Sequence, residues 1–179
     1  SITNEGYILV AEAFLVEDGD ANSIADGPIA EASGRYGIHV LSGSGTIDNS
    51  GTIWVEGLDS YGVAFNADFT GSFVNTGTIG TVGDYSVAVK TASVDGDLLL
   101  GGSISAAGEG ARAVVVAGDV SGALVIDGAI TKAVSFTDDE GSTVYLSRSD
   151  LRVIAPAVTV SGDVAGGILV AAPPYDLDD

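Results

Sequence analysis

Two columns of glycine, six residues apart and repeated down the chain, constrain this sequence more than any other feature. One column reads Gly-x-Ile: Gly6-Tyr7-Ile8, Gly51-Thr52-Ile53, Gly77-Thr78-Ile79, Gly102-Ser103-Ile104 and Gly128-Ala129-Ile130. Its glycines follow one another at 45, 26, 25 and 26 residues. The other precedes it by six residues each time, as Gly45-Thr46-Ile47, Gly71-Ser72-Phe73, Gly96-Asp97-Leu98 and Gly122-Ala123-Leu124. Gly166-Gly167-Ile168 continues that column, and Ile2 matches its apolar position. A third column is a β-branched or aromatic pair spaced by two: Ile38/Val40, Val63/Phe65, Val87/Val89, Val114/Val116 and Val158/Val160.

A period of about 25 residues carrying three short apolar segments is the mark of a solenoid. Strands that short cannot bury themselves alone. Stacked one unit on the next, about 4.8 Å apart, each pairs with its own copy, and the columns become continuous internal ladders. The expectation is an all-β, right-handed, single-stranded parallel β-helix of about five to six rungs, three strands to a rung. An antiparallel sandwich or barrel is the rival for glycine-rich alternating sequence. A constant six-residue step is hard to obtain from hairpins, whose partners reverse direction.

The residue two before each Gly-x-Ile glycine is Asn4, Asn49, Asn75, Leu100 and Ile126. Asparagine amides can hydrogen-bond along a ladder, and the change to Leu100 and Ile126 implies a partly buried site where apolar stacking takes over.

Two spacings break the period, Gly6 to Gly51 and Gly122 to Gly166, and place insertions near residues 14–33 and 132–152. In a solenoid such insertions lie on one face, often the binding face. The first, taken from Phe14 to Ser33, is acidic, with Glu17, Asp18, Asp20, Asp26 and Glu31. The second reads as a hairpin, with Val134–Thr137 and Thr143–Leu146 flanking Asp138-Asp139-Glu140-Gly141, and it carries Lys132, Arg148 and Arg152. Pro173 and Pro174 have no N–H to give a ladder. The β-helix should therefore occupy residues 1–172 and end near Ala171, with 173–179 as a linker or tail.

Charge narrows the partners. Six basic residues against 25 acidic ones give a formal net charge of −19, which repels phosphate backbones and argues against nucleic acid. Apolar residues at 46% argue against disorder. The absence of Cys removes disulfides and thiolate chemistry and fits an exported chain. No apolar run reaches the roughly 18 residues of a transmembrane helix.

Few residues invite chemistry. Asp18, Asp20, Asp138 and Asp139 are candidate oxygen ligands for calcium, but no EF-hand loop or glycine-aspartate nonapeptide surrounds them. A solvated turn is the plainer reading, and no cofactor is expected. A sugar-cleaving enzyme would need two carboxylates within about 10 Å in a cleft. No carboxylate column recurs among the rung positions, so the chain is not expected to be an enzyme. His39, the single histidine, lies between Ile38 and Val40 and should face outward. Tyr7, Leu9 and Trp54 should also face outward and could form an apolar partner surface, unless the first insertion folds over them.

Three stretches carry a family resemblance: Gly45-Thr46-Ile47-Asp48-Asn49-Ser50-Gly51-Thr52-Ile53, Phe73-Val74-Asn75-Thr76-Gly77-Thr78-Ile79, and residues 161–174 from Ser161 to Pro174. The chain resembles the passenger region of alphaproteobacterial, particularly sphingomonad-type, autotransporters. The resemblance implies a right-handed β-helix displayed outside a Gram-negative cell, with stalk, adhesive or scaffold roles and self, protein or glycan partners. It implies no catalytic residue. A self-assembling extracellular filament or surface-layer subunit is the alternative, and a polysaccharide-active enzyme a weaker one.

Overall fold

The protein is described by a computed structural model covering residues 1–13, 16–138, 141–148, 150–152 and 155–171. The strands β1 (Ile2–Asn4) and β2 (Tyr7–Val10) open the chain. A full turn follows in β3 (Tyr36–Val40), β4 (Gly43–Asn49) and β5 (Thr52–Glu56), and the next in β6 (Tyr61–Phe65), β7 (Phe69–Asn75) and β8 (Thr78–Val82). Beyond these, β9 (Val87–Thr91) and the short β10 (Val94–Asp95) lead into β11 (Leu98–Ala107), and β12 (Arg112–Val116) leads into β13 (Leu124–Ala133). A hairpin of β14 (Ser135–Thr137) and β15 (Thr143–Tyr145) and a 3-10 turn at Asp150–Arg152 precede β16 (Val158–Val160) and β17 (Ile168–Val170).

Coil strands pair in parallel with their copies about 26 residues on, giving a parallel β-solenoid of about four turns. One ladder aligns Ile2, Ile47, Phe73, Leu98, Leu124 and Ile168. A second aligns Ile8, Ile53, Ile79, Ile104 and Ile130. Ile53, Ile79 and Ile104 are completely buried, each contributing roughly 1.5–3 kcal/mol of apolar transfer. Strands β11 and β13 run unbroken through both ladders, where earlier turns use two strands.

The glycine columns are explained by close approach between turns. Gly102 has a φ of +62°, and a Cβ there would lie 2.6 Å from the Thr76 carbonyl oxygen. Inside the coil, Gly62 leaves room for an isoleucine: a Cβ on it would lie 2.5 Å from Ile79 Cγ2. Ala88 and Ala113 follow at the same position in later turns, both completely buried.

The asparagine ladder forms as the residues predict. Asn4 Nδ2 donates to Asn49 Oδ1 at 2.7 Å, and Asn49 Nδ2 donates to Asn75 Oδ1 at 2.6 Å. Asn75 Nδ2 ends the chain on the Gly101 carbonyl at 2.7 Å. Leu100 then takes the column over and is buried. A buried amide is tolerable only when its donors and acceptors are met, and each of these three passes its demand to the next turn.

The third column needs a correction. Val63 pairs with Val89 and Tyr61 with Val87, so the internal pair of that turn is Val89 and Thr91, not Val87 and Val89. Val114 and Val116 then sit on Val89 and Thr91, while Val87 pairs with Arg112 at the outer end of the strand. Val87 and Val89 are the two apolar members of an alternating run that ends in Thr91, so apolar pattern alone places the pair one step of two too early. Thr91 is buried with its hydroxyl lacking a hydrogen-bond partner.

Both insertions leave the coil at the same corner. Ordinary turns join the isoleucine ladder to the third ladder by the four residues 57–60, 83–86 or 108–111. The equivalent connectors are residues 11–35 and 134–157. They meet through a bridge between Ile24 and Tyr145, with Ala25 N–H donating to the Tyr145 carbonyl at 2.9 Å and Tyr145 N–H to the Ser23 carbonyl at 2.8 Å. The expected hairpin is present and antiparallel, pairing Phe136 with Val144. A second apolar cluster results, in which Ala25, Ile29, Phe136, Val144 and Leu146 pack on Val82 and Ala107 of the coil. The strands end at Val170, and the Ala171 N–H still bonds the Ile126 carbonyl at 2.8 Å. Ala172, the proline pair and the tail lie outside the described residues, as do Phe14, Asp139 and Glu140.

Candidate functional site

The three aromatic and apolar residues expected to share an outer patch are divided by the insertions. Tyr7 and Leu9 are 62% and 53% exposed. Trp54 is half-buried and packs with the second cluster, its ring lying over Gly80 of the next turn. Its indole N–H donates to Glu56 Oε1 at 3.0 Å. Gly80 has no side chain to obstruct the ring, so the tryptophan is drawn along the coil and under the insertions.

The acidic residues serve the backbone. Glu12 accepts from Glu31 N–H at 2.7 Å, from Ala32 N–H at 2.8 Å, and faces Arg35 at 3.6 Å. Glu56 Oε2 accepts from Glu12 N–H at 3.0 Å. Glu12, Glu56 and Asp138 thus line one cleft with Val16, Ile29 and Phe136, but every oxygen of the two glutamates is already an acceptor. That arrangement ties the first insertion to the coil. Elsewhere an aspartate caps the turn that follows it: Asp84 Oδ1 takes Glu109 N–H at 2.8 Å, Asp97 Oδ1 takes Ala123 N–H at 2.8 Å, and Asp119 Oδ1 takes Asp163 N–H at 2.9 Å. Asp119 and Asp163 flank the paired Val120 and Val164, so carboxylates do recur in register, at a corner outside the strand columns.

Of the calcium candidates, Asp18 and Asp20 lie with Asp26 in a group whose carboxylate oxygens fall within 4.8 Å of one another. Asp18 is committed to the N–H groups of Asn22 and Ser23 at 3.0 and 2.8 Å, and Asp26 to that of Gly19 at 2.8 Å. Asp138 sits in the hairpin turn and accepts from Ser142 N–H at 2.7 Å. Asp139 lies outside the described residues.

A different constellation lies on the outer face of β3, β6, β9 and β12. His39 is exposed as expected, and its ring stacks on Tyr36 with centroids 3.9 Å apart and planes 9° from parallel. Tyr36 stacks on Tyr61 of the next turn at 5.1 Å. Lys90 Nζ stands 5.2 Å over the Tyr61 centroid from the turn after that. Asn66 Nδ2 and His39 Nε2 are 2.8 Å apart. Burial, then neighbouring Tyr36 and Asp59, push the Tyr61 hydroxyl above its ordinary pKa, so it stays a donor. Beside this stack runs a shallow depression lined by Tyr61, Tyr85, Val87, Lys90, Arg112 and Val115.

Tyr85 is the least economical residue of this face. Its φ is +59°, a left-handed conformation that tyrosine rarely adopts. The same corner position holds Asp59, φ +46°, one turn before and Gly110, φ +62°, one turn later. The turn therefore demands a left-handed residue and glycine would meet the demand freely. Yet the Tyr85 ring is 52% exposed, so little burial offsets the strain. It rests against Gly110, where a Cβ would come within 2.7 Å of Cδ1, and its hydroxyl donates to Glu109 Oε1 at 3.1 Å. That bond raises the Tyr85 pKa.

Sequence reasoning missed Tyr36, Tyr61, Tyr85, Lys90 and Arg112. A signal existed: Tyr36 and Tyr61 are 25 residues apart, one turn, and Lys90 and Arg112 are two of only six basic residues. No protein-family model matches the chain, and neither does a curated protein or a solved structure.

Proposed function

We propose that this chain is a right-handed β-helical scaffold of five to six rungs, displayed outside a Gram-negative cell in the manner of an autotransporter passenger, which holds a binding strip on a stiff rod. The observation that carries the binding role is the stack of His39, Tyr36, Tyr61 and Lys90 beside an exposed, strained Tyr85. Strain that burial does not offset is characteristic of functional positions. Stiffness follows from ladders that run through every turn, and the rung motifs support the passenger resemblance. Immunogold microscopy of cells expressing the whole gene tests the display: label outside the outer membrane is expected, and label confined to the cytoplasm overturns it.

The filament remains the second reading, favoured by one observation. Ile168, Leu169 and Val170 of β17 are all more than half exposed. A further rung of the same polypeptide would cover them, and so would a second copy. Negative-stain images of the purified chain separate the two, isolated rods supporting the scaffold and ordered fibres the filament.

A further inference from the structure

Resting on the reading of this strip as a contact surface, we propose that its depression binds carboxylate-bearing sugars of an acidic polysaccharide. Three features converge. First, Lys90 and Arg112 place two positive groups on one small area, and at physiological salt a carboxylate there is screened beyond about 8 Å from the remaining charge of a chain whose net charge is −19. Among the described residues neither forms an ion pair, whereas Arg35 is held by Glu12. Unpaired ammonium and guanidinium groups suit a carboxylate, the guanidinium by a two-point contact.

Second, Val87 and Val115 give the depression apolar lining, and Tyr85 adds an exposed ring to it. The C–H face of a pyranose needs such a surface. Glu109, bonded to the Tyr85 hydroxyl, adds an acceptor for sugar hydroxyls beside it. A simple inorganic anion would need neither the ring nor the acceptor.

Third, the lining residues come from three successive turns. Tyr61 belongs to one, Tyr85, Val87 and Lys90 to the next, and Arg112 and Val115 to the third. With a strand spacing of about 4.8 Å, the depression runs roughly 10 Å along the coil. It extends in the direction of the rod across three turns, which fits an extended polymer better than a compact ligand.

Binding of the purified chain to immobilised polygalacturonate, to the same polymer fully methyl-esterified, and to polyglutamate tests this in about 0.15 M salt. Melting curves accompany each variant to confirm folding. The expected result is binding to polygalacturonate, weakened about tenfold or more by Lys90→Gln with Arg112→Gln and by Tyr85→Gly. The esterified polymer and polyglutamate should bind poorly. Equal binding of the esterified polymer, abolished by Tyr85→Gly, would overturn the acidic ligand while keeping the strip as a contact surface. Equal binding of polyglutamate would overturn sugar recognition in favour of charge alone. No polymer binding, together with variant-insensitive retention on intact cells, would sink the strip itself.

Discussion

The two outer faces that meet at the insertion corner share a backbone and differ in nearly everything else. Beyond the isoleucine ladder, Trp54 on β5, Val82 on β8 and Ala107 on β11 lie beneath both insertions. Around the corner, the outer face of β3, β6, β9 and β12 carries Tyr36, Tyr61, Lys90 and Arg112 on a surface left open. The first face spends its outward positions on packing, the second on polar and aromatic groups with little packing to do. A solenoid can separate these tasks because its interior is complete without either face. The lesson is that insertions should not be taken as the binding elements by default. Here the pair braces one face, and the candidate site is built from ordinary rungs.

If the interior is shared, damage to it should reach both faces. Ile79→Ala removes a completely buried side chain that also packs on Gly62 and is expected to cost about 2–5 kcal/mol. Urea unfolding followed by tryptophan fluorescence and by polysaccharide binding should then shift together. Separate shifts would break the picture of one interior serving both faces.

Phe136→Ala strikes the covered face alone. It removes the hairpin's largest contribution to the second cluster, at a cost of about 3 kcal/mol. Hydrogen exchange should quicken in residues 16–35 and 134–146 while β6, β9 and β12 keep their protection. Equal loosening of those strands would show that the open face depends on the braced one.

Thr91→Val tests the interior just beneath the open face. The buried hydroxyl without a partner is replaced by a methyl of like shape, and a gain of about 1 kcal/mol is expected. A loss in urea midpoint would mean that the hydroxyl is satisfied after all.

The smallest effect concerns pH at the corner between the faces. Burial raises the Asp84 pKa above the ordinary 3.8, against the opposing Glu109 N–H bond, and Asp150 and Glu109 raise it further. The folded chain therefore holds this proton more tightly than the unfolded one. That contribution is present below the ordinary value and is lost as pH rises through the raised one. Asp84→Asn keeps an oxygen for Glu109 N–H and removes the titration. The wild type should lose stability relative to this variant as pH rises from below the ordinary value through the raised one, a constant difference excluding the mechanism.

The coil was legible because its signal is local and repeated. Gly51, Gly77, Gly102 and Gly128 each solve the same contact with the turn before, so one requirement is written several times. The asparagine ladder could be read for the same reason, down to its replacement by Leu100. The slip at Val87 and Val89 came where a polar residue, Thr91, occupies an inward position that pattern alone gives to valine.

The candidate site was not legible because its members answer to no shared requirement. Tyr85 lies between Asp84 and Ser86, and nothing local marks it as left-handed or exposed. Lys90 and Tyr61 become neighbours only once the register of β6 and β9 is known, and a slip of two residues would part them.

Sequence alone determined the repeat, the parallel stacking it forces, the apolar ladders and the positions where the period fails. Tertiary structure decided that two insertions about a hundred residues apart meet at one corner, that they cover Trp54, and that the opposite side of that corner stays open. The reason is physical. Steric and burial demands inside a coil act between a residue and its copy one turn away, so they leave a periodic trace. Contacts across the outside depend on how far chain segments project and where they land, and no period records that.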